Sequence, residues 1–276
     1  MRKIAVLNQK GGVGKTTTAV NVSAALAAGG QRVCLVDLDP QAHASLHLGQ
    51  APGLETPSVY DVLTGDTTLD EARATIADNL WLVGSHIDLA AAEVELAGIV
   101  GRELILRDKI AEDSSDYDFM IVDCAPSLGV LTLNALAAVE EVFIPLQPHF
   151  LALHGLSKLL ETIALVGKRL NPRLRISGVI LCMYESSTRL AAEVTSDLEE
   201  FFRQAATHRS PWSQAYPLAT RIRRNIRLAE APSFGQSIFQ YAPDSHGAED
   251  YRQLTAEILA QRPLRAPHDE SAIVSE

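Results

Sequence analysis

Residues 4–18 read Ile-Ala-Val-Leu-Asn-Gln-Lys-Gly-Gly-Val-Gly-Lys-Thr-Thr-Thr, and this stretch decides the fold. Its first four residues are apolar and predict a short buried strand. A glycine-rich loop follows, and the alanine-rich pattern from Thr17 to Ala28 predicts a helix. A strand, a glycine-rich loop and a helix in this order are the setting that a phosphate-binding loop requires.

The residues of this loop have the chemistry that phosphate binding needs. Glycines allow consecutive backbone N–H groups to point into one concavity, and the start of a helix adds unpaired donors and a positive dipole end. Lys15 would reach the β- and γ-phosphates, and the Thr16 hydroxyl would coordinate Mg²⁺. The loop residues predicted to bind nucleotide are Gly11, Gly12, Val13, Gly14, Lys15, Thr16 and Thr17.

One position departs from the general pattern G-x-x-x-x-G-K-[ST], because Gln9 stands where the first glycine is expected. An additional lysine, Lys10, precedes Gly11. The string K-G-G-V-G-K-T-T resembles the deviant phosphate loop of the ParA/MinD/nitrogenase-iron-protein group of P-loop ATPases. In that family the early lysine crosses a dimer interface and contacts the partner's nucleotide. The resemblance therefore implies this catalytic role for Lys10, beside that of Lys15.

The bulk composition is that of an ordinary globular protein. The chain has 276 residues, of which 47% are hydrophobic and 21% are charged, and its formal net charge is −10. No window approaches eighteen uncharged apolar residues, and the chain enters its first strand within three residues, so neither a membrane span nor a signal peptide is expected. The cysteines, Cys34, Cys124 and Cys182, fall in predicted buried strands. We therefore expect a cytoplasmic protein with no membrane partner and no disulfides.

Two further apolar runs end in carboxylates. Val-Cys-Leu-Val at 33–36 leads to Asp37 and Asp39, and Phe-Met-Ile-Val at 119–122 leads to Asp123. In an open α/β sheet, residues at the carboxyl ends of parallel strands lie beside the ligand crevice. An acid on a second strand beside the phosphate loop can orient Mg²⁺ and its waters. The predicted metal residues are Thr16, Asp37 and Asp123.

The segments around these acids carry the same resemblance. D-x-D-P-Q after Val36 is similar to the first switch segment of the ParA family, and D-x-A-P-S from Asp123 is similar to the second. The resemblance implies that Asp39 orients the attacking water and that Asp37 holds Mg²⁺ through water. His43 and His47 are four residues apart, as in a metal pair on a helix. No third ligand is near, so exposed histidines are the expectation.

Strands alternate with helices along most of the chain. Short helices are predicted at Ser58–Leu63 and Thr67–Ala77, and a long one at Leu89–Ile110. No internal repeat or linker is evident, so one doubly wound α/β domain is expected, a mostly parallel sheet with helices on both faces, the P-loop NTPase fold. It would span residues 1–261, and residues 262–276 are predicted to be a disordered tail.

A basic segment lies near the C-terminus of this acidic protein. Between Phe201 and Ala229 there is no acidic residue, but there are six arginines. Such a cluster can bind nucleic acid phosphates, or it can be a solvated face that forms ion pairs with acidic helices. The pattern leaves both interpretations open. The arginines are Arg203, Arg209, Arg221, Arg223, Arg224 and Arg227.

The block I-R-R-N-I-R-L-A-E-A-P-S-F-G at 222–235 resembles the C-terminal signature of ParA/Soj-type partition ATPases, and the whole resemblance covers residues 3 to 260. It implies a slow, partner-stimulated ATP hydrolase that uses ATP and Mg²⁺, with Met183 and Pro232 in the adenine pocket. It also implies an ATP-bound homodimer that associates with the nucleoid by binding double-stranded DNA non-specifically and drives chromosome or plasmid partition. The residues expected to contact DNA are Arg203, Arg221, Arg223, Arg224 and Arg227.

Other functions stay open on the sequence. A ParA-like ATPase that positions a protein cargo would have the same motifs, because cargo choice lies in the activating partner, a ParB-like protein or a cargo adaptor. A metabolic P-loop enzyme, such as an ATP-dependent amide synthase, would need further polar residues for its substrate. No such constellation is evident. The tail from Arg262 to Glu276 lacks the basic amphipathic pattern of a MinD-type membrane helix.

Overall fold

A buried, eight-stranded sheet is the centre of the computed structural model, which describes residues 1–50, 53, 56–149, 152–207 and 210–261. Every neighbouring pair is parallel except β3 with β4. The spatial order is β3-β4-β2-β5-β1-β6-β7-β8, which confirms the predicted doubly wound, mostly parallel α/β fold. The strands are β1 (Arg2–Val6), β2 (Val33–Leu38), β3 (Arg73–Ala77), β4 (Leu80–Val83), β5 (Phe119–Cys124), β6 (Glu141–Leu146), β7 (Arg175–Tyr184) and β8 (Pro217–Arg223).

Helices cover both faces of this sheet. Short 3-10 helices at Leu96–Gly98, Arg102–Leu104 and Ala231–Phe234 supplement them. The helices of the described residues are α1 (Lys15–Ala28), α2 (His43–His47), α3 (Val59–Thr64), α4 (Leu69–Ala72), α5 (Leu89–Glu95), α6 (Ile105–Glu112), α7 (Val130–Ala138), α8 (Ala152–Arg169), α9 (Arg189–Ala205), α10 (Ile226–Glu230), α11 (Ile238–Tyr241) and α12 (His246–Ala260).

The two faces of the sheet form two hydrophobic cores. In β2, Val33 and Leu35 pack with α1, α11 and α12, whereas Cys34 and Val36 pack with α3, α6, α7 and α8. This alternation follows from the twofold period of side chains along a strand. A strand covered on both faces can be apolar throughout, as the sequence of β2 is. All three cysteines are buried and free, as expected.

Two predicted helices are wrong in extent. In the predicted helix Thr67–Ala77 only Leu69–Ala72 is helical, and the rest is β3, which pairs antiparallel with β4 at the sheet edge. The predicted helix Leu89–Ile110 is interrupted after Glu95. Gly101 adopts a φ of 78°, a left-handed conformation that a helix interior does not allow. Long-range strand pairing and one glycine conformation thus override the local pattern.

The remaining expectations about organisation concern the chain ends and membranes. Among the residues that the model describes, no helix is long and apolar enough to cross a membrane. One sheet contains all the strands of the described residues, and the last described helix, α12, ends at Ala260. The tail predicted at residues 262–276 lies outside the described residues.

Candidate active site

The glycine-rich loop lies between β1 and α1, as predicted. Gly12 and Gly14 adopt φ values of 71° and 94°, which favour glycine because a Cβ would be strained there. Gly14 precedes α1, whose first turn contains no acidic residue. Asn8 fastens the start of the loop to β6 by donating from Nδ2 to the Pro145 carbonyl at 2.7 Å. The loop therefore presents backbone donors and a helix N-terminus at the carboxyl edge of the sheet.

A cleft of about 960 Å³ opens over this loop. Met183 and Pro232, predicted to contact adenine, line its other end. Val13 does not line the cleft, because its side chain is buried beneath the loop. One large cleft thus brings together residues from both ends of the chain. The loop and helix residues that line it are Gly11, Gly12, Gly14, Lys15, Thr16 and Thr17.

Lys15 lies at the floor of the cleft. Its side chain is largely buried, and its ammonium donates to the Lys10 carbonyl at 3.1 Å. Burial lowers the pKa of Lys15, and the nearby carboxylates of Asp123 and Asp39 oppose this shift. A desolvated cation at the base of a polar loop is well placed to pair with a phosphate.

The predicted metal carboxylates lie side by side. Asp37 of β2 pairs directly with Asp123 of β5, and Asp123 in turn pairs with Val6 at the end of β1. Asp37 is fully buried, and its Oδ2 accepts hydrogen bonds from the backbone N–H and hydroxyl of Ser45 at 2.8 and 2.7 Å. Burial raises the pKa of Asp37 to about 6, although the Ser45 bonds oppose the shift.

Asp123 is the least satisfied polar group of the site. It is fully buried, and neither carboxylate oxygen accepts a well-formed hydrogen bond within the described residues. The Thr16 hydroxyl lies near enough to lower the pKa of Asp123, against the effect of burial. Burial, and then the nearby Asp37 carboxylate, raise the pKa of Asp123 well above its usual value. A buried carboxylate without donors is costly unless a cation pairs with it. Because Thr16 lies on the same side of the site, oxygen donors fit a hydrated Mg²⁺ ion here.

Asp39 and Lys10 occupy the rim. Asp39 is 6% exposed, lines the cleft and accepts a hydrogen bond on Oδ1 from the Gln41 N–H at 2.9 Å. Lys10 is exposed and is not among the residues that line the cleft. Its ammonium contacts Nε2 of His149, in the loop after β6. Asp39 therefore faces the cleft, and Lys10 lies outside its lining.

The other end of the cleft combines Met183 with the 3-10 helix that contains Pro232. Met183 adopts a φ of 50°, an uncommon conformation for a non-glycine residue, at the penultimate position of β7. Tyr251 of α12 also lines the cleft, and its hydroxyl lies 3.1 Å from that of Thr18 on α1. The first and last long helices of the fold are thereby joined beneath the site.

The prediction for the histidine pair is half wrong. His43 is exposed, but His47 is 2% exposed because α2 packs on the segment around Gly235. Burial lowers the pKa of His47 to about 4, although a contact with the Gln236 backbone opposes the shift. No cluster of three metal-ligating side chains exists within the described part of the chain, so the pair does not form a metal centre.

Each of the described arginines in the basic segment forms an ion pair, and Arg209 lies outside the described residues. The acidic partners come from α9, α10, α12 and the loop after β7, which the local charge count did not include. The pairs are Arg203–Glu200, Arg221–Glu199, Arg223–Asp250, Arg224–Glu185 and Arg227–Glu230.

These arginines differ in their burial and in their partners. Arg223 binds Asp250, which is 3% exposed and also accepts a hydrogen bond from the Arg223 backbone N–H. Arg221 is 23% exposed and packs 5.9 Å from the Tyr184 ring. Arg203 is near the far end of α9, about 20 Å from its start at a rise of about 1.5 Å per residue. Arg224 and Arg227 remain exposed near the mouth of the cleft, at 61% and 54%.

Several residues of the site were not found from the sequence. Ser45 lies on the short helix after the Asp37 motif, where a polar residue in an apolar setting is a usable signal. Ser85, Tyr251 and Asp250 are far from the motifs along the chain, and only the folding of the sheet brings them to the site. Local sequence carries no signal for those three.

Comparison with known proteins agrees with this geometry. A family model described as an AAA domain matches residues 1–176. The sporulation initiation inhibitor protein Soj of Bacillus subtilis is 45% identical over 93% of this chain and 98% of that protein. The chromosome-partitioning ATPase Soj of Thermus thermophilus is 44% identical over 95% of this chain and 96% of that protein.

A solved structure has the same fold. The structure of cobyrinic acid a,c-diamide synthase from Mycobacterium smegmatis, with bound ATP analog and magnesium, is 36% identical. The match has a TM-score of 0.79 and covers 96% of this chain and 99% of that one. The phosphate loop, the paired carboxylates and the C-terminal block all fall within the matched regions. The chain therefore belongs to the Soj/ParA family of chromosome-partitioning ATPases.

Proposed function

We propose that this chain is a nucleotide-gated switch in which ATP and Mg²⁺ join two copies of the chain, and the joined form binds DNA. Lys15 and the loop N–H groups would hold the phosphates, and Thr16, Asp37 and Asp123 would hold Mg²⁺, directly or through its waters. Mg²⁺ would neutralise charge on the transferring phosphoryl group. Asp39 orients the attacking water, so this chain contributes positioning and electrostatics.

The position of Lys10 carries the dimer proposal. The cleft of each subunit already contains one lysine, Lys15, at its floor, whereas Lys10 is exposed beside the rim and contacts His149. A second cation directed outward can pair with the phosphates of a nucleotide held by another copy. Because a desolvated phosphate pairs strongly with ammonium, such a contact makes assembly depend on the nucleotide.

Light scattering tests this proposal. The unmodified chain should change from monomer to dimer when ATP and Mg²⁺ are added, and Lys10→Ala should stay monomeric while it still binds nucleotide. Lys168→Ala removes the same charge from an exposed position on α8 and should dimerise normally. An ATP-dependent dimer of Lys10→Ala would remove Lys10 from the interface.

DNA binding is proposed for the exposed arginines near the cleft mouth. Arg224 and Arg227 are held by single glutamates, Glu185 and Glu230, and a phosphate can replace an exposed carboxylate partner at small cost. Two copies double the number of such contacts on one assembly. Contacts to phosphate carry no sequence preference and weaken steeply with salt.

Partition of chromosomes or plasmids is the process that this switch would serve, with a ParB-like DNA-binding protein or a cargo adaptor as the activating partner. A protein cargo would use the same dimer. Synthase activity is the second candidate, favoured by the name of the 36% identical Mycobacterium smegmatis structure. Turnover that rises with DNA and partner protein would support partition, and turnover that rises with a carboxylic acid substrate and an ammonia donor would support the synthase.

A further inference from the structure

We propose that Ser85, which lies outside the nucleotide motifs, is a positioning residue for Asp37 and Asp39 and acts together with Ser45. We call Ser45 and Ser85 the serine relay. Ser45 belongs to α2, after β2, and Ser85 follows β4, which is the neighbour of β2 in the sheet. The relay therefore joins two adjacent strand ends on the side of β2 away from β5.

The contacts of the relay form a closed set of hydrogen bonds. The Ser45 backbone N–H and hydroxyl both donate to Asp37 Oδ2, at 2.8 and 2.7 Å. The Ser85 N–H donates to the Ser45 hydroxyl oxygen at 2.9 Å, and the Ser85 hydroxyl donates to the Asp39 carbonyl at 2.7 Å. The Asp39 N–H completes the set by donating to Asp37 Oδ1 at 3.3 Å.

The residues of the relay are buried, and each of their hydrogen bonds has a defined donor and acceptor. Asp37, Ser45 and Ser85 are all 0% exposed. A serine hydroxyl has one proton, and that of Ser45 is committed to a carboxylate, so its oxygen is left to accept the Ser85 N–H. Bonds inside a low-dielectric site are stronger than in water, and a lost partner is correspondingly costly. The relay thus fixes both acids without occupying the cleft.

The segment that the relay holds is otherwise strained. Ala42 adopts a φ of 53° where α2 begins, an uncommon conformation that persists only when surrounding contacts enforce it. Asp39 lies three residues before Ala42. The Ser85 hydroxyl donates to the backbone carbonyl of Asp39, while the Asp39 side chain lines the cleft. We infer that the relay keeps the Asp39 carboxylate in position and aligns Asp37 beside Asp123.

The test separates positioning from folding. Ser85→Ala removes the donor to Asp39, and the loss of one buried hydrogen bond should lower basal kcat about tenfold. The affinity for a fluorescent ATP analogue should change less than twofold. Ser45→Ala removes a donor to Asp37 and should raise severalfold the Mg²⁺ concentration that nucleotide binding requires, a readout independent of hydrolysis.

Ser23→Ala is the matched control. Ser23 is fully buried on α1, and its hydroxyl has no partner among the described residues, so kcat and the Mg²⁺ requirement should stay unchanged. Unchanged kcat in Ser85→Ala, or an equal loss in Ser23→Ala, would overturn the proposal. So would a loss of nucleotide affinity in Ser85→Ala in proportion to the loss of kcat, because that result indicates a structural role.

The proposal rests on the proposed role of Asp39, and its kcat readout also requires the proposed dimer. It does not rest on DNA binding, and all measurements are made without DNA. If Asp39→Ala hydrolyses ATP normally, the role of Asp39 fails. The Mg²⁺ requirement of Ser45→Ala would then still test the hold on Asp37. An unchanged requirement in that variant would overturn this part of the proposal as well.

Discussion

The phosphate loop and the arginine segment, which is the basic segment between Phe201 and Ala229, differ in how their charged residues are paired. Around the loop, Asp123 is buried, and within the described residues its carboxylate accepts no well-formed hydrogen bond, although the Thr16 hydroxyl is near. In the arginine segment, every described arginine already has a carboxylate partner, from Glu200 for Arg203 to Glu230 for Arg227. A region with a buried, poorly satisfied carboxyl group favours a cationic ligand, whereas a region whose charges are already paired is stable alone and binds only by exchange of partners.

This difference teaches that adjacent arginines in one segment have different roles. Arg223 holds a buried carboxylate, while Arg224, the next residue, holds an exposed one. An arginine therefore stabilises the fold at position 223, whereas the arginine at position 224 is available to a partner. Three measurements test whether the two regions differ in this way.

The largest expected effect is on stability, within the arginine segment. Arg223→Ala leaves the buried Asp250 carboxylate without its cation, which should cost about 2 to 3 kcal/mol, less than a fully buried pair because Arg223 is partly exposed. Arg224→Ala breaks an exposed pair and should cost less than about 1 kcal/mol. Urea unfolding of both variants measures the difference. Equal losses would show that the two arginines have the same role.

The next effect concerns the stability contribution of His47, a buried residue of α2 that also lines the cleft. Its pKa of about 4 in the folded chain is below the ordinary value of 6.5, so the unfolded chain binds more protons and stability falls as pH drops below about 6.5. At pH 5 this amounts to about 2 kcal/mol. Between pH 7.5 and pH 5, His47→Gln should therefore lose about 2 kcal/mol less than the unmodified chain. His43→Gln, an exposed control, should behave like the unmodified chain, and identical losses in all three would contradict the burial of His47.

The smallest effect expected for each substituted residue is on the affinity for DNA. Arg224→Glu with Arg227→Glu should weaken binding to any duplex. It should also reduce the slope of log affinity against log salt by about two units per subunit, near one for each lost phosphate contact. ATP binding should persist. Arg203→Glu reverses one charge near the C-terminal end of α9 and should have less than half of this effect. Gel shifts across a salt series report these slopes, and a loss in Arg203→Glu alone would place the DNA contact at α9.

The sequence predicted the central strands, α1 and the loop because their signals are local. A phosphate loop needs its residue types at fixed spacing, and β2 and β5 each end in the acids that its chemistry needs. It did not predict β3, which depends on pairing with β4, or the roles of Ser85 and Asp250, which come from distant parts of the chain. The sequence did not show which arginines of the basic segment are paired, because their carboxylate partners lie outside the segment in sequence.

Subunit complementation tests the central claim, that Lys10 acts on the nucleotide of another copy. Lys10→Ala alone should not dimerise, and Asp39→Ala alone should dimerise without hydrolysis, so each variant is inactive. In a mixed dimer, the nucleotide on the Lys10→Ala subunit has its own Asp39 and receives Lys10 from the other subunit. One complete site results.

The measurement is therefore ATP hydrolysis by an equimolar mixture of Lys10→Ala and Asp39→Ala, compared with each variant alone at the same total concentration. We predict that hydrolysis reappears on mixing, because Lys10 is supplied in trans. A mixture that is no more active than the average of its two components would contradict the account, because Lys10 would then act only within its own subunit.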